Sequence, residues 1–328
     1  MFDIALFGTG RIGRIHARNV SAHPALRLKY LVDPAPETAG LAAAAGATCA
    51  DIQHVLADPD IAGVIIASPT NLHLEQCLQA VAAGKAVFCE KPIDLDLKRA
   101  RAAQAHLTAP GVRLLLGFNR RFDPNFAALQ SQLQHGTVGT LESLQITSHD
   151  PAPPPIAYVR TSGGLFKDMA IHDFDMARWL LGEEPIEVFA SSSCLVDPAI
   201  GAAGDVDTAK TVLKTASGRL CVISNSRRSG YGYDQRIEAF GSRGLVRADN
   251  ILESSVSVWA DAGMTSDALQ NFFLDRYAEA YRREIAHFAD ILSGKARPAV
   301  GYEDAVAALA LAEAAAESAR SGLVVRLA

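Results

Sequence analysis

Cysteine is scarce in this 328-residue chain: Cys49, Cys77, Cys89, Cys194 and Cys221 are the whole set, with no C-x-x-C pair among them. An odd, scattered group excludes a disulfide framework and gives no zinc-ligand spacing, so no metal is expected and a reducing compartment fits. An excess of positive charge is also missing. The chain carries 31 Lys and Arg against 36 Asp and Glu, a formal net charge of -5, which gives nucleic acid and anionic membranes no basic surface to bind. Long apolar runs are absent. The alanine-rich stretch from Ala305 to Ala319 carries acids and is too short to span a bilayer. The first apolar run is interrupted by Asp3 and by the glycines of a turn, so no secretory leader is expected. These absences predict a cytoplasmic globular protein with no nucleic-acid or membrane partner. Its length allows two domains.

The first half of the chain alternates strand-like and helix-like segments. Asp3 to Gly8 is a short apolar run ending in glycine, and it leads directly into Gly8-Thr9-Gly10-Arg11-Ile12-Gly13, a G-x-G-x-x-G. Helical composition follows from Ile12 to Val20, which is the strand–turn–helix context the motif needs. The first glycine permits the tight turn, the second lets the backbone approach a pyrophosphate, and the third lets helix pack on strand. The free N–H groups of the helix start then favour an anion. A second strand, Leu26 to Val32, ends in Asp33, twenty residues after Gly13. A carboxylate there accepts the ribose hydroxyls of an adenosine and repels a 2′-phosphate. Pro34 follows it, with no basic residue to neutralise such a phosphate, so NAD is expected over NADP.

Apolar strands at Gly63 to Ala67, Ala86 to Cys89 and Val112 to Leu116, separated by helices of about ten residues, predict a parallel, doubly wound sheet. Ligands of such sheets bind beyond the carboxyl ends of the strands. Ser68, Thr70, Asn71, His73, Glu90 and Lys91 occupy that edge and are, with the glycine loop, the expected cofactor-binding residues. Turn chemistry alone accounts for Ser68-Pro69-Thr70-Asn71, and Thr70 or Asn71 is placed to cap the next helix. Lys91 asks for more, because a lysine at that edge can hold a substrate hydroxyl and favour its deprotonation.

The pattern changes after Gly117, which places a boundary near Phe118 and gives two domains, 1–118 and 119–328. Beyond it, strand-like runs follow one another with short turns: Thr140 to Ser148, Ile186 to Ser192, Thr208 to Leu213, Arg219 to Asn225, Gln235 to Phe240, Gly244 to Arg247 and Ser254 to Trp259. They predict a large, mostly antiparallel open sheet with helices on one face, an α+β domain. Long helices are expected at Phe272 to Leu292 and Tyr302 to Ala319. Arg121, His149, Tyr158, Asn271, Arg276 and Tyr277 can donate hydrogen bonds to a polyhydroxylated ligand; Phe273 reads as core.

Within the second half, Gly163 to Leu181 (GGLFKDMAIHDFDMARWLL) concentrates chemistry. Helical spacing puts Asp168 and His172 one turn apart on one face, with Asp175 and Trp179 continuing the stripe. Carboxylates beside an imidazole favour its charged form, which suits a proton acceptor near neutral pH. A surface helix with a polar i,i+4 pair has the same spacing, so the remainder of the chain decides between the two.

Taken together, GTGRIG, SPTNLH, EKP, GFNRRFD and GG-x-x-x-D-x-x-x-HD-x-D resemble the Gfo/Idh/MocA oxidoreductase family, and within it the inositol 2-dehydrogenases. The resemblance runs through both halves in order. It implies a Rossmann domain followed by a substrate and oligomerisation domain, NAD as cofactor, and a cyclic polyol (myo- or scyllo-inositol) or sugar as substrate. It also implies catalytic roles for Lys91, Asp168 and His172, a polyol contact for Asp175, and a homotetramer formed through the exposed face of the second sheet. Trp179 is left to packing. A 1-dehydrogenase of an aldose, or a dinucleotide-binding regulator without catalysis, is the alternative on the same fold.

Overall fold

The computed structural model describes residues 1–327. Strands and helices alternate through the first third: β1 (Phe2–Phe7), α1 (Arg11–Ala22), β2 (Leu26–Val32), α2 (Thr38–Ala45), β3 (Thr48–Cys49), α3 (Ile52–Ala57), β4 (Ile61–Ile66), α4 (His73–Ala82), β5 (Ala86–Glu90), α5 (Leu97–Leu107) and β6 (Leu114–Gly117). Consecutive residues such as Ile4, Ala5 and Leu6, or Val64, Ile65 and Ile66, have no exposed surface. Both faces of this sheet are therefore covered, which is why its strands are apolar without alternation. All neighbours are parallel in the order β3-β2-β1-β4-β5-β6. The order turns between β1 and β4, which opens a crevice beyond their carboxyl ends. Asp51 and Asp96 start α3 and α5 by accepting backbone N–H groups. The expected cap at Thr70 or Asn71 is not formed. Thr70–Leu72 is a 3-10 turn, and the residue before α4 is Leu72, which caps nothing.

The chain divides into two compact units that differ from the expected consecutive domains 1–118 and 119–328. The first comprises Met1–Phe122 and Ala280–Leu309, the second Asp123–Glu279 and the chain from Ala310 on. The physical reason lies in one late helix, Ala278–Leu292. Its Ile285, Phe288, Ala289 and Leu292 are buried. Phe288 lies so close to Gly63 of β4 that a Cβ there would sit 2.8 Å from its ring, and it meets Phe88 of β5 at 5.9 Å between ring centroids.

The second unit begins at α6 (Pro124–Gln134), capped by Asp123, which accepts the N–H groups of Asn125 and Phe126. It continues through β7 (Leu141–His149), α7 (Ile156–Ser162), α8 (Gly164–Asp168), α9 (Ile171–Leu181), β8 (Pro185–Ser193), α10 (Pro198–Ala202), β9 (Thr208–Thr215), β10 (Leu220–Ser226), β11 (Asp234–Gly241) and β12 (Gly244–Ala248). A hairpin, β13 (Ser257–Ala260) and β14 (Gly263–Ser266), precedes α11 (Phe273–Arg276), α12 (Ala278–Leu292), α13 (Tyr302–Ser321) and β15 (Val325–Arg326).

Seven strands form one sheet in the order β12-β11-β7-β10-β9-β8-β15, and only the β7–β10 pair is parallel. Alternation is clear here. Leu144, Ile146, Ile223 and Leu213 are buried on the face that α9 covers, whereas Phe189, Val212, Leu220, Val222, Phe240 and Leu245 are exposed on the other. The run expected as a strand from Ser254 departs from this sheet: β13 pairs with β14 alone, and its Val258 and Trp259 are exposed. The expected helix Phe272 to Leu292 is interrupted at Tyr277, and Phe273, expected in the core, is half-buried and stacks on Phe272.

Candidate active site

The glycine loop of the first unit is built as a phosphate cradle. Gly8 has φ +92°, and a Cβ there would lie 2.4 Å from the Ala67 carbonyl oxygen. A Cβ on Gly13 would lie 2.1 Å from the Gly8 carbonyl oxygen, so α1 rests directly on the turn. Gly10 differs: a Cβ there meets nothing within 4 Å. It is the N-cap of α1 with no side-chain cap, so the first helical N–H groups face open space, as an incoming diphosphate requires. Arg11 beside it is exposed and Ile12 half-buried.

Asp33 is fixed by two backbone donors. Its Oδ2 accepts the Thr9 N–H at 2.6 Å and its Oδ1 the Ala35 N–H at 2.8 Å. Burial pushes this carboxyl up, but the Thr9 and Ala35 N–H groups outweigh it and hold the group below its ordinary range. It therefore remains an anion at neutral pH. It borders a cleft of about 640 Å³ lined also by Gly8, Pro34, Ser68 and Pro69. The bare backbone at Gly10 and the anion at Asp33 fit the diphosphate and adenosine ribose of NAD.

The remaining edge residues divide. Ser68 lines the cleft, with its hydroxyl donating to Gln76 at 2.6 Å. Thr70 and Asn71 lie in the 3-10 turn, half-buried and exposed respectively. Two of the edge residues turn inward. His73 is buried, with Nδ1 and Nε2 each 2.8 Å from a carbonyl oxygen, of Pro92 and of Ser68. Burial lowers its basicity, and the ring lies between two loop carbonyls, to one of which its single N–H donates. Glu90 also turns inward: its Oε1 is 2.7 Å from His16 Nε2, and its Oε2 would be 2.9 Å from a Cβ on Gly117. Both faces of the sheet are covered, so the last residue of β5 still packs as interior. Behind it stands Glu284 of α12, with no exposed surface. Burial and then the charge of Glu90 raise the Glu284 carboxyl well above its ordinary range. Lys91 follows Glu90, half-buried, and joins Pro92 through a cis peptide.

In the second unit the predicted single helix is two. Gly163 and Gly164, at φ +88° and +79°, turn the chain from α7 into α8, which ends at Asp168. The N–H groups of Met169 and Ala170 both reach the Leu165 carbonyl, and α9 restarts at Ile171. This wide turn places Asp168 at the end of one helix and His172 at the second position of the next. Its cause is packing: Leu165, Phe166, Met169, Ala170, Ile171 and Phe174 are all buried, six apolar residues in ten.

Asp168 Oδ1 accepts the Tyr158 hydroxyl at 2.8 Å, which brings two expected residues together. Its Oδ2 lies 3.6 Å from Nη2 of Arg227, a buried guanidinium that also lies 3.7 Å from Oδ2 of Asp205. Asp205 in turn accepts the Leu165 N–H at 3.0 Å, and only a glycine at 164 leaves it room. His172 is half-buried, and Asp175, three residues on, has no exposed surface. Asp173, also fully buried, accepts from Asn225 of β10 at 2.7 Å. Sequence reasoning missed Arg227, Asp205, Asp173 and Asn225. The one available signal was the charged pair Arg227-Arg228 directly after a strand.

Three candidates have other partners. His149 is paired across the sheet with Ser226 and Asp234, while Asn225, which holds Asp173, is paired with Ser148. His149 therefore lies on the face opposite α9, where its Nε2 is 2.9 Å from the Ser224 hydroxyl. Arg121 donates to Asp304 at 2.9 Å. Arg276 is buried against Asp123 and makes a two-point ion pair with it. Trp179 is half-buried, and its carbonyl accepts from Gln130.

A doubly wound sheet with a bare glycine cradle and an acidic ribose site, followed by an open mixed sheet, defines a two-domain nicotinamide-dinucleotide oxidoreductase. The chain belongs to the Gfo/Idh/MocA family. Residues 2–118 match the model of the oxidoreductase family NAD-binding Rossmann fold, and residues 126–247 match the GFO/IDH/MocA C-terminal domain. The inositol 2-dehydrogenase of Rhizobium meliloti is 47% identical over 95% of both chains. The myo-inositol 2-dehydrogenase of Thermotoga maritima is 44% identical over 96% of this chain and 95% of that one. The crystal structure of scyllo-inositol dehydrogenase from Lactobacillus casei with NAD(H) and scyllo-inositol has a TM-score of 0.93 at 28% identity, covering 99% of each chain.

Proposed function

We propose that this chain is an NAD-dependent dehydrogenase that oxidises one ring hydroxyl of a cyclic polyol of the inositol class to the ketone. The observation that carries the reading is Asp168, fixed by Tyr158 and facing Arg227, four residues before His172 in a chain that also holds a dinucleotide cradle. His172 takes the hydroxyl proton as general base. Asp168 orients the imidazole and stabilises its cation. Lys91 stabilises the developing alkoxide by its charge. NAD, when bound, accepts the hydride. Tyr158 adjoins the polyol through the hydroxyl that it shares with Asp168. Asp175, three residues beyond His172, is kept as a polyol contact on the strength of the family resemblance.

The open sheet face supports a homotetramer, since it exposes Phe189, Leu220, Val222 and Phe240 together. Five free thiols support a reducing compartment, and so the cytoplasm. Among the described residues no helix is long and apolar enough to cross a membrane.

The test is a panel of inositol isomers and aldoses with NAD and NADP, read as absorbance of the reduced cofactor. Rapid turnover of an inositol with NAD is expected; turnover of aldoses alone moves the substrate to the sugar alternative. Replacing His172 by Ala lowers the rate by about two to four orders of magnitude with NAD binding retained. Undiminished turnover in that variant removes His172 from its role.

A further inference from the structure

The second unit holds a buried cation close to Asp168. Arg227 is 1% exposed. Its backbone N–H donates to the Asp207 carbonyl at 2.8 Å, so the residue is held where β10 ends. Nε and Nη2 of its guanidinium make no hydrogen bond among the described residues. Nη2 instead faces two carboxylates at 3.6 and 3.7 Å, Asp168 and Asp205. Those distances are too long for a hydrogen bond and short enough for strong attraction. Asp205 is itself held to the backbone by the Leu165 N–H. Two carboxylates therefore share one cation.

We propose that Arg227 is a positioning residue for the reaction. By lying between Asp168 and Asp205 it holds the Asp168 carboxylate in place for His172. Asp205 is the counterweight that fixes the guanidinium, and Gly164 is the residue that lets Asp205 approach, since a Cβ there would sit 2.7 Å from its Oδ1. The inference rests on the proposed role of Asp168. Tyr158 from α7 and Arg227 after β10 face Asp168, and Asp205 before β9 faces the same guanidinium; Lys167 and His172 lie on the segment of Asp168 itself. The Lys167 ammonium is 3.0 Å from Glu313. Without the guanidinium, two half-buried carboxylates lose the one cation that both approach, and like charges in that setting favour uptake of a proton. A protonated Asp168 no longer stabilises the imidazolium.

The experiment measures kcat against pH, with NAD affinity by fluorescence and the melting temperature alongside, in R227Q, R227K, D205N, R227Q/D205N and D168N. R227Q is expected to move the acidic limb of kcat towards neutral pH by about one unit and to leave NAD affinity unchanged. R227K is expected to keep the parent limb. R227Q/D205N is expected to return the limb to the parent position, because one carboxylate then faces no rival. Should R227Q fail to fold, D205N alone decides: its limb moves to lower pH. A limb that stays in place in R227Q, or in D205N where R227Q does not fold, overturns the proposal, as does a change confined to melting temperature. D168N separates the two levels. Full kcat in D168N sinks the role of Asp168 and this inference with it, whereas a damaged D168N beside unmoved limbs sinks the inference alone.

Discussion

Gly10 and Gly13 stand three residues apart in one motif, yet the structure assigns their replacement opposite consequences. At Gly13 a methyl group would be driven to 2.1 Å from the Gly8 carbonyl oxygen, a backbone atom that cannot swing away. Overpacking against side chains costs about 1–3 kcal/mol, and backbone is less forgiving. In a chain of this size each kcal/mol is worth about 1.5 °C of melting temperature, so Gly13→Ala should melt a few degrees lower without any ligand. At Gly10, φ is -62° and the methyl group enters open space. The free protein should be unchanged to within about 0.5 kcal/mol. The cost appears with NAD, because the methyl group occupies the line of approach of the diphosphate. Losing one charge-assisted bond of about 1.5–3 kcal/mol weakens affinity by about 10- to 100-fold. At a free NAD concentration of about 100 times the dissociation constant, binding stabilises the parent by about 2.7 kcal/mol, and a 100-fold weaker variant by about 0.4 kcal/mol. Melting curves with and without NAD read both quantities. The reasoning fails if Gly10→Ala melts as low as Gly13→Ala without NAD, or if it keeps the parent's full NAD-induced shift.

Asp33→Asn removes the charge that opposes a 2′-phosphate, and the ratio of kcat/KM for NAD over NADP should fall by about tenfold or more, equivalent to about 1.4 kcal/mol; an unchanged ratio separates Asp33 from cofactor choice. Glu284 is raised by burial and by Glu90, so the folded chain keeps a proton that the unfolded chain loses above its ordinary value. Stability therefore falls as pH rises from that ordinary value towards the raised one, by up to about 1.4 kcal/mol per pH unit. Glu284→Gln should flatten the fall, gaining more melting temperature at pH 8 than at pH 5, and an equal gain at both would refute the assignment. Phe189→Glu with Val222→Glu puts charge on the open sheet face, and light scattering should find a smaller particle than the parent; the parent mass in both would rule this face out as the contact between copies.

How much of this was legible in advance follows the distance over which each feature is encoded. The nucleotide site was readable because Gly8, Gly10, Gly13 and Asp33 lie within one βαβ segment, where local turn and strand signals fix the geometry. The alternating strands of the second sheet were readable for the same reason. The face of His149 was not readable because that of a strand's last residue depends on register with its neighbours, and one residue decides between faces. The inward turn of Glu90 and His73 was not readable because a residue at the cofactor edge in sequence can still point into the core. The break between Asp168 and His172 left no mark, since Met169 and Ala170 are good helix formers and packing overrides them. Arg227 and Asp205 approach Asp168 only through tertiary structure, and no pattern in a single sequence links positions so far apart.

The first unit closes with a helix taken from the far end of the chain, and this bears on the order of synthesis. When residues 1–122 have left the ribosome, all six strands of the parallel sheet exist, but the surface at Gly63 that Phe288 and Leu292 meet is still open. Phe288 and Leu292 arrive more than 160 residues later. The nascent nucleotide domain must therefore wait with an apolar surface open while the whole of the second sheet is made, the state in which chains are most exposed to aggregation. A chain stopped at Glu279 would carry every residue of the cofactor cradle and still lack the helix that completes its core.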